Sequence, residues 1–486
     1  MSGARVAVAI LGAGPAGLGL AYRLGRRENF AVTVLERGES VGGNAGSFEL
    51  GENPRSTSQG AGAPAGMRVD YGSHRLHPSC APEILEDLKG MLGAELLDRP
   101  RHGRIRLRDK WVHFPLKPLD LAVNLPYSFM AGVVRDSLLR RLVSRPGDSF
   151  ASVLEAGLGK TICKDFYFPY ARKIWGCDPA ALDAEQARRR VSAGSLSKLA
   201  RKILESVPGV GQKGRGRFYY PVRGYGAISE AYAEAAARRG VRLKLRTSVG
   251  AVETVAQRVR AVQAIGPAGQ EWVAADQVCS TIPVTQLVLL MQPQAPQEVL
   301  RSACALPFRA MILIYLVLET EQFSPYDAHY FPGPDVRITR LSEPKNYGLA
   351  QWPGRTVLCA EMPCSVDDAV WRATDAELGS IVRSALEAAE LPIRCAIVSV
   401  VCRRLAHAYP VYTRGYREHF ERIEEWLGET AGLVSFGRQG LFAHDNTHHA
   451  LAMAYALDDC LREDGSFDGE RWKQYRTRFE EHVVED

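Results

Sequence analysis

A run of six apolar residues, Val6-Ala7-Val8-Ala9-Ile10-Leu11, passes straight into Gly12-Ala13-Gly14-Pro15-Ala16-Gly17. No other stretch limits the fold as much. The run reads as a buried parallel strand. Leu18 to Arg26 follow, with Leu18, Ala21, Tyr22 and Leu24 at helical spacing, and Ala31 to Leu35 form a second strand that ends in Glu36. Together they make a βαβ unit around a G-x-G-x-x-G turn. Gly12 permits the tight turn, Gly14 lets a pyrophosphate reach the backbone, and Gly17 lets helix and strand pack closely. The helix start, with Ala16 in its first turn, offers free N–H groups and a partial positive charge to phosphate. Glu36 lies 24 residues after Gly12, where an acid holds ribose hydroxyls. The unit predicts dinucleotide binding.

The next residues choose the dinucleotide. Glu36-Arg37-Gly38-Glu39-Ser40-Val41-Gly42-Gly43 resembles the E-x5-G-G continuation of flavoproteins in the glutathione-reductase-like superfamily. The resemblance implies FAD as cofactor, with Arg37, Gly43 and Asn44 beside it.

The chain has 486 residues, enough for two domains. A net charge of +6 over that length does not argue for nucleic acid. The basic cluster Arg101 to Lys110 reads as a solvated face. The ten cysteines are scattered, with no C-x-x-C and no zinc-finger spacing. The chain enters its nucleotide strand directly, and no run is apolar enough to span a bilayer. The expectation is a cytoplasmic protein acting on a small molecule, with peripheral membrane contact left open for the helical, partly apolar stretch 119–143.

Further along, Gly51 to Gly66 and Pro208 to Arg217 read as surface loops. Met67 to Tyr71 is a short strand leading to His74, which serves either as a capping residue or as a functional one. A hairpin is expected over 103–118, a helix over Ala227–Arg239, and strands over Val241–Val249, Val252–Val262 and Trp272–Ser280. Met311 to Leu318 is apolar on both faces, the mark of a central strand. Thr374-Asp375-Ala376-Glu377 fits a capping box that opens a helix. Phe166 to Pro179 is dense in rings and cations. Arg172, with Trp175 near it, suits a flat or anionic ligand, and an aromatic core is the equal alternative.

Near the end, a strand at Leu433 runs into Gly437-Arg438-Gln439-Gly440, a polar loop, and a helix starting near Thr447. Gly437 lets the chain approach a phosphate, Arg438 lies beside it, and the helix start at Asn446 and Thr447 points a positive dipole end at the cofactor. His444, Asp445, Asn446, His448 and His449 match no standard metal-ligand spacing, so no metal is expected.

With both ends read, the chain resembles the FAD-dependent superfamily of monoamine oxidases, protoporphyrinogen oxidases, phytoene desaturases and UDP-galactopyranose mutases. Gly72-Ser73-His74-Arg75-Leu76-His77 is similar to the mutase G-P-H-x-F-H segment, with Ser73 in place of proline. Tyr170 to Pro179 is similar to the Y-x-x-K-x-W-G-x-D-P of oxidase-like members. Gly437 to Asn446 is similar to the mutase G-R-x-G…N-x-D region, although the histidines from His444 on depart from it. Ala408-Tyr409-Pro410-Val411-Tyr412 is similar to the mutase Y-P-V segment. The resemblance implies an α/β fold: a discontinuous Rossmann-like FAD-binding domain (1–78, 218–292, 420–486) and a mixed-sheet and helical substrate domain (79–217, 293–419). It implies that Val249 also lies at the cofactor. Hydride transfer from a small organic substrate to flavin N5 is the expected reaction, with His74, His444 or His448 taking a proton and Arg172, Trp175, Arg337 and Tyr409 at the substrate. A mutase-like, non-redox reaction on a sugar nucleotide is the alternative, and for it the resemblance leaves Arg172, Arg337, Arg340 and Arg414 as candidates to bind the diphosphate.

Overall fold

The computed structural model describes residues 5–51, 66–114, 120, 123–139, 147–190, 216–348 and 352–484. The two expected surface loops fall almost wholly outside that set, as do Pro115 and Pro118 at the end of the expected hairpin.

Val6–Leu11 is the middle strand of a five-stranded parallel sheet. Phe30–Leu35 and Arg242–Lys244 follow on one side, Gln277–Ser280 and Leu433–Ser435 on the other. The alternation of side chains along a strand explains the layers. Val8 and Ile10 face one core, shared with the helices Pro15–Gly25, Ala227–Ala237 and Thr447–Cys460. Ala9 and Leu11 face another, shared with Val252, Val262 and Leu287. The second core lies under a four-stranded sheet built from Ser248–Val255, Arg258–Gly266, Gly269–Ala274 and Met291–Gln292.

Two expected strands divide. Val241–Val249 breaks after Lys244, because Arg246 takes a left-handed φ of 51° and its N–H turns to Gly38 O. Arg242–Lys244 therefore joins the parallel sheet, while Ser248 begins the antiparallel one. Trp272–Ser280 divides at Asp276, whose carboxylate accepts the Ala7 N–H at 2.8 Å. Period two continues across the first break, so the pattern alone hides it.

The second large sheet has seven strands, in the order Ile397–Pro410, Phe308–Leu318, Thr356–Cys364, Arg340–Ser342, Ala328–Tyr330, Gly103–Leu107 and Lys110–Phe114. Phe308–Leu318 is buried on both faces, as its apolar run predicts. Ile312, Ile314 and Leu316 pack with the helix Asp375–Ala388, whose start carries the expected Thr374–Glu377 capping box. Met311, Leu313 and Tyr315 pack against the hairpin Ser47–Leu50 with Met67–Asp70. That hairpin packs on the seven-stranded sheet through one small core.

The expected hairpin at 103–114 forms, with Arg108 and Asp109 both at positive φ in its turn. Its basic residues are not simply solvated. Arg106 pairs with Asp109 and Asp335, and Arg108 pairs with Asp165. Within the stretch 119–143 a helix runs from Tyr127 to Leu139, and Tyr127, Val134 and Leu138 on it are exposed. Among the described residues no helix is long and apolar enough to cross a membrane.

Ile314→Ala removes a fully buried side chain from the middle of the second sheet. The expected cost is about 2–5 kcal/mol, read as a lower denaturant midpoint at unchanged slope.

Candidate FAD and active site

Three separate parts of the chain meet at the start of the helix Pro15–Gly25. Gly14 caps that helix without a side-chain hydrogen bond. The turn Gly42-Gly43 lies across from it, and a Cβ on Gly43 would stand 3.7 Å from the Gly14 Cα. Gly437, at φ 76°, closes the third side: a Cβ there would stand 2.8 Å from the Cβ of Ala16. A Cβ on Gly17 would sit 2.0 Å from Gly12 O, so Gly17 is fixed by packing. Gly14 is different, because a Cβ there meets only Gly42 O at 3.9 Å. Bare backbone from two loops thus frames open space in front of a helix N-terminus, the setting for a phosphate. Glu36 borders it, accepting the Ala13 N–H at 2.8 Å and the Gly38 N–H at 2.7 Å. A carboxylate has further lone pairs, which remain for hydroxyl donors.

A line of polar and aromatic side chains runs on from this cradle. Asn44 and Gln439 both donate to His407 O, and Arg438 donates to Ala408 O. The Arg438 guanidinium lies 5.2 Å from the Tyr409 ring centre. Tyr409 meets Trp175 edge-on at 5.7 Å, and Trp175 meets His444 at 5.0 Å. At the other end, His74 stacks on Tyr225 at 5.3 Å. Beside His74, the Ser73 N–H donates to Glu361 Oε1 at 3.0 Å, and that same oxygen accepts from Arg340 at 2.7 Å.

The His74 ring is neutral. Burial lowers its pKa and outweighs the opposing pull of Asp70. Its Nε2 lies 2.8 Å from Tyr71 O, which can only accept. The proton is therefore on Nε2 and the lone pair is on Nδ1.

With this geometry in hand, the comparisons are informative. Residues 15–425 match the model of the flavin-containing amine oxidoreductase family. The chain belongs to this family. It is an FAD-dependent enzyme. Its fold is similar to that of a reduced UDP-galactopyranose mutase, with a TM-score of 0.75, 21% identity and 93% of each chain covered. It is also similar to an Exiguobacterium sp. 255-15 protein described as a protoporphyrinogen oxidase, with a TM-score of 0.67 and 20% identity over 94% of this chain and 98% of that one. A third similar structure is the cyclohexylamine oxidase of Brevibacterium oxydans IH-35A, with a TM-score of 0.62 and 14% identity over 97% of this chain and 100% of that one.

The open space before Gly14, bounded by Gly43 and Gly437, fits the pyrophosphate of FAD. Of the other residues expected at the cofactor, Asn44, Arg438 and Asn446 lie along the same line or at the start of the helix Thr447–Cys460, which Asn446 caps. Thr447 hydrogen-bonds with Tyr225, the ring that stacks on His74. Arg37 is exposed and lowers the pKa of His407 with its charge, after burial does most of that lowering. Val249 is half-buried against the core that holds Leu11 and Leu35.

The expected substrate residues divide. Trp175 and Tyr409 meet, but Arg172 is exposed and paired with Asp178, and Arg337 is exposed. In the helix Phe168–Trp175 the buried residues are Ala171 and Trp175, while Arg172 reaches into solvent to Asp178. Lys173, between them, donates to Phe331 O and Ile338 O, and burial pushes its pKa down to about 7. Arg340, unlike Arg172 and Arg337, does reach the line, held by Glu361.

The histidines also separate. His444 is buried with its Nε2 beside the Gln186 side chain and its ring against Trp175 and Tyr412. His448 lies against Ser79 and His77. Asp70 and Glu361 were not singled out from the sequence as site residues, whereas Arg340 was one of the four arginines weighed for a diphosphate. Glu361 and Arg340 sit on neighbouring antiparallel strands, a pairing no local pattern announces.

Two outcomes are expected. Gly437→Ala forces a Cβ against Ala16 at a φ that favours glycine, so it lowers the flavin-to-protein absorbance ratio of the purified enzyme. Gly428→Ala, whose Cβ would meet nothing within 4 Å, leaves that ratio unchanged. The second outcome concerns acid. Burial, helped by nearby histidines, pushes the His448 pKa down to about 3, below the ordinary value of about 6.5. The unfolded chain takes up that proton first, so the contribution is complete above about pH 6.5 and is lost as pH falls toward about 3. His448→Gln therefore flattens the acid limb of a plot of unfolding midpoint against pH.

Proposed function

We propose that this enzyme oxidises a small, ring-bearing or cationic organic substrate by hydride transfer. Bound FAD supplies the hydride acceptor. The chain orients the substrate, excludes water and moves a proton.

The observation that carries this reading is the Arg340–Glu361 ion pair, closed at 2.7 Å and largely buried. A sugar nucleotide brings a diphosphate, which calls for cations with charge to spare. Beside His74, Arg340 is balanced by Glu361 and Arg75 by Asp327. The neighbouring faces are aromatic: Tyr330 and Tyr409 lie within electrostatic reach of Arg340, and Trp175 meets Tyr409. Ring faces stabilise a carbon that becomes electron-poor as hydride leaves it.

His74 is the residue to take the substrate proton. It is neutral, and its lone pair is on Nδ1 while Nε2–H is anchored on Tyr71 O. His444 packs in the aromatic wall with Gln186 and serves to hold Trp175 and Tyr409 in place. The likeness of Gly72–His77 and Ala408–Tyr412 to mutase segments favours a second reading, a non-redox reaction on a sugar nucleotide.

Anaerobic photoreduction followed by air separates the two. Reoxidation within seconds, and oxygen consumption with amine or ring substrates, is the expected result. A flavin that stays reduced in air while the protein interconverts sugar nucleotides supports the second reading instead. Under the first, His74→Ala lowers kcat by about 10²–10⁴-fold at unchanged flavin content.

A further inference from the structure

We propose that Asp445, His449 and His482 form a binding site for one divalent transition-metal ion, with zinc the best fit. Asp445 and His449 flank the first turn of the helix Thr447–Cys460. His482 arrives from the segment that follows the last helix, Gly469–Glu480. One oxygen and two ring nitrogens from these side chains lie within 4.8 Å of one another. Asp445 Oδ1 is 3.4 Å from His449 Nδ1 and 3.1 Å from His482 Nδ1. Two atoms that bind a common zinc tetrahedrally, each about 2.1 Å from it, stand about 3.4 Å apart.

Hydrogen bonding alone leaves this cluster poorly satisfied. Both rings turn to one carboxylate oxygen, while Asp445 Oδ2 is buried and has no hydrogen-bond partner among the described residues. His449 Nδ1 also lies 3.2 Å from the Asn446 N–H, which can only donate. A nitrogen that accepts that bond has no proton for Asp445, so its lone pair faces the carboxylate oxygen. A cation between the two converts this repulsion into two bonds, at the cost of the long amide contact.

The local charge agrees. The Asp445 carboxyl group is fully buried, so a cation would balance it where water does not reach. Arg189, also close, is already committed to Glu185 at 2.9 Å and to Phe479 O. The imidazoles of His449 and His482 stack at 4.1 Å and 13°, so one ring turns about its Cβ–Cγ bond for both in-plane lone pairs to meet on one ion. Two imidazoles and one carboxylate suit zinc better than calcium or magnesium. The ring exposures of 13% and 17% leave a path for water as fourth ligand. A bound ion would fasten the end of the chain to the helix whose first residue, Thr447, reaches Tyr225.

The test uses the flavin-loaded protein, stripped with a chelator and titrated with zinc above pH 7, where imidazole is neutral. Calorimetry and elemental analysis are expected to give one zinc per chain, with a rise in Tm. His482→Ala and His449→Ala are expected to weaken binding by more than about tenfold and to abolish the Tm rise. His102→Gln, whose ring lies against Tyr326 beside the seven-stranded sheet, keeps both. Retained flavin absorbance certifies folding, and where His482→Ala loses it, His482→Asn replaces it. The proposal is overturned if the wild-type protein takes up no zinc, or if the His482 and His449 variants bind it as well as the wild type.

Discussion

The buried carboxylate of Asp70 is the interaction on which the rest of the site depends. It accepts from Ser47 Oγ at 2.6 Å, from the Tyr220 hydroxyl at 2.5 Å and from the Tyr225 N–H at 2.8 Å. The Tyr315 hydroxyl, from the central strand of the seven-stranded sheet, donates to the Asp70 backbone carbonyl. One residue thus joins the hairpin, the segment before the helix Ala227–Ala237 and the second sheet. Burial raises its pKa, and the three donors oppose that rise. Such a group is costly unless nearly every lone pair is met, which makes the geometry around it specific. His74 is four residues on and inherits that rigidity through Tyr71 and Tyr225.

The cofactor cradle works by the opposite means. Here side chains are removed rather than satisfied. Gly14, Gly43 and Gly437 come from three distant parts of the sequence, and each contributes backbone where a Cβ would intrude or fill the space. The parallel sheet makes the meeting possible, because Val6–Leu11, Gln277–Ser280 and Leu433–Ser435 end at one edge. Ligands of such sheets bind beyond the carboxyl ends of the strands. The aromatic line from Tyr409 to His444 then extends the site from that edge toward the helix Phe168–Trp175.

Much of this was legible in the sequence, for local reasons. The βαβ turn, the Glu36 continuation, the hairpin read over 103–118, the apolar strand read over 311–318 and the Thr374 capping box each depend on residues within a few positions of one another. So does the family, since its motifs are short and ordered along the chain. The break at Arg246 was not legible, because a period-two pattern continues through it, and at Asp276 the hydrogen bond with Ala7 marks where the strand divides.

The sequence by itself therefore determined the nucleotide-binding start, the flavin continuation and the layered α/β architecture, since strand period, helix period and glycine placement are local properties. Only the tertiary structure decided which charged groups share a site. Arg172 and Arg337 turned outward, while Arg340 was drawn in by Glu361 from the neighbouring strand. His482 came to Asp445 and His449 from beyond the last helix. Charge pairing across strands and chain ends follows from burial and register, and neither leaves a mark at fixed spacing in the sequence.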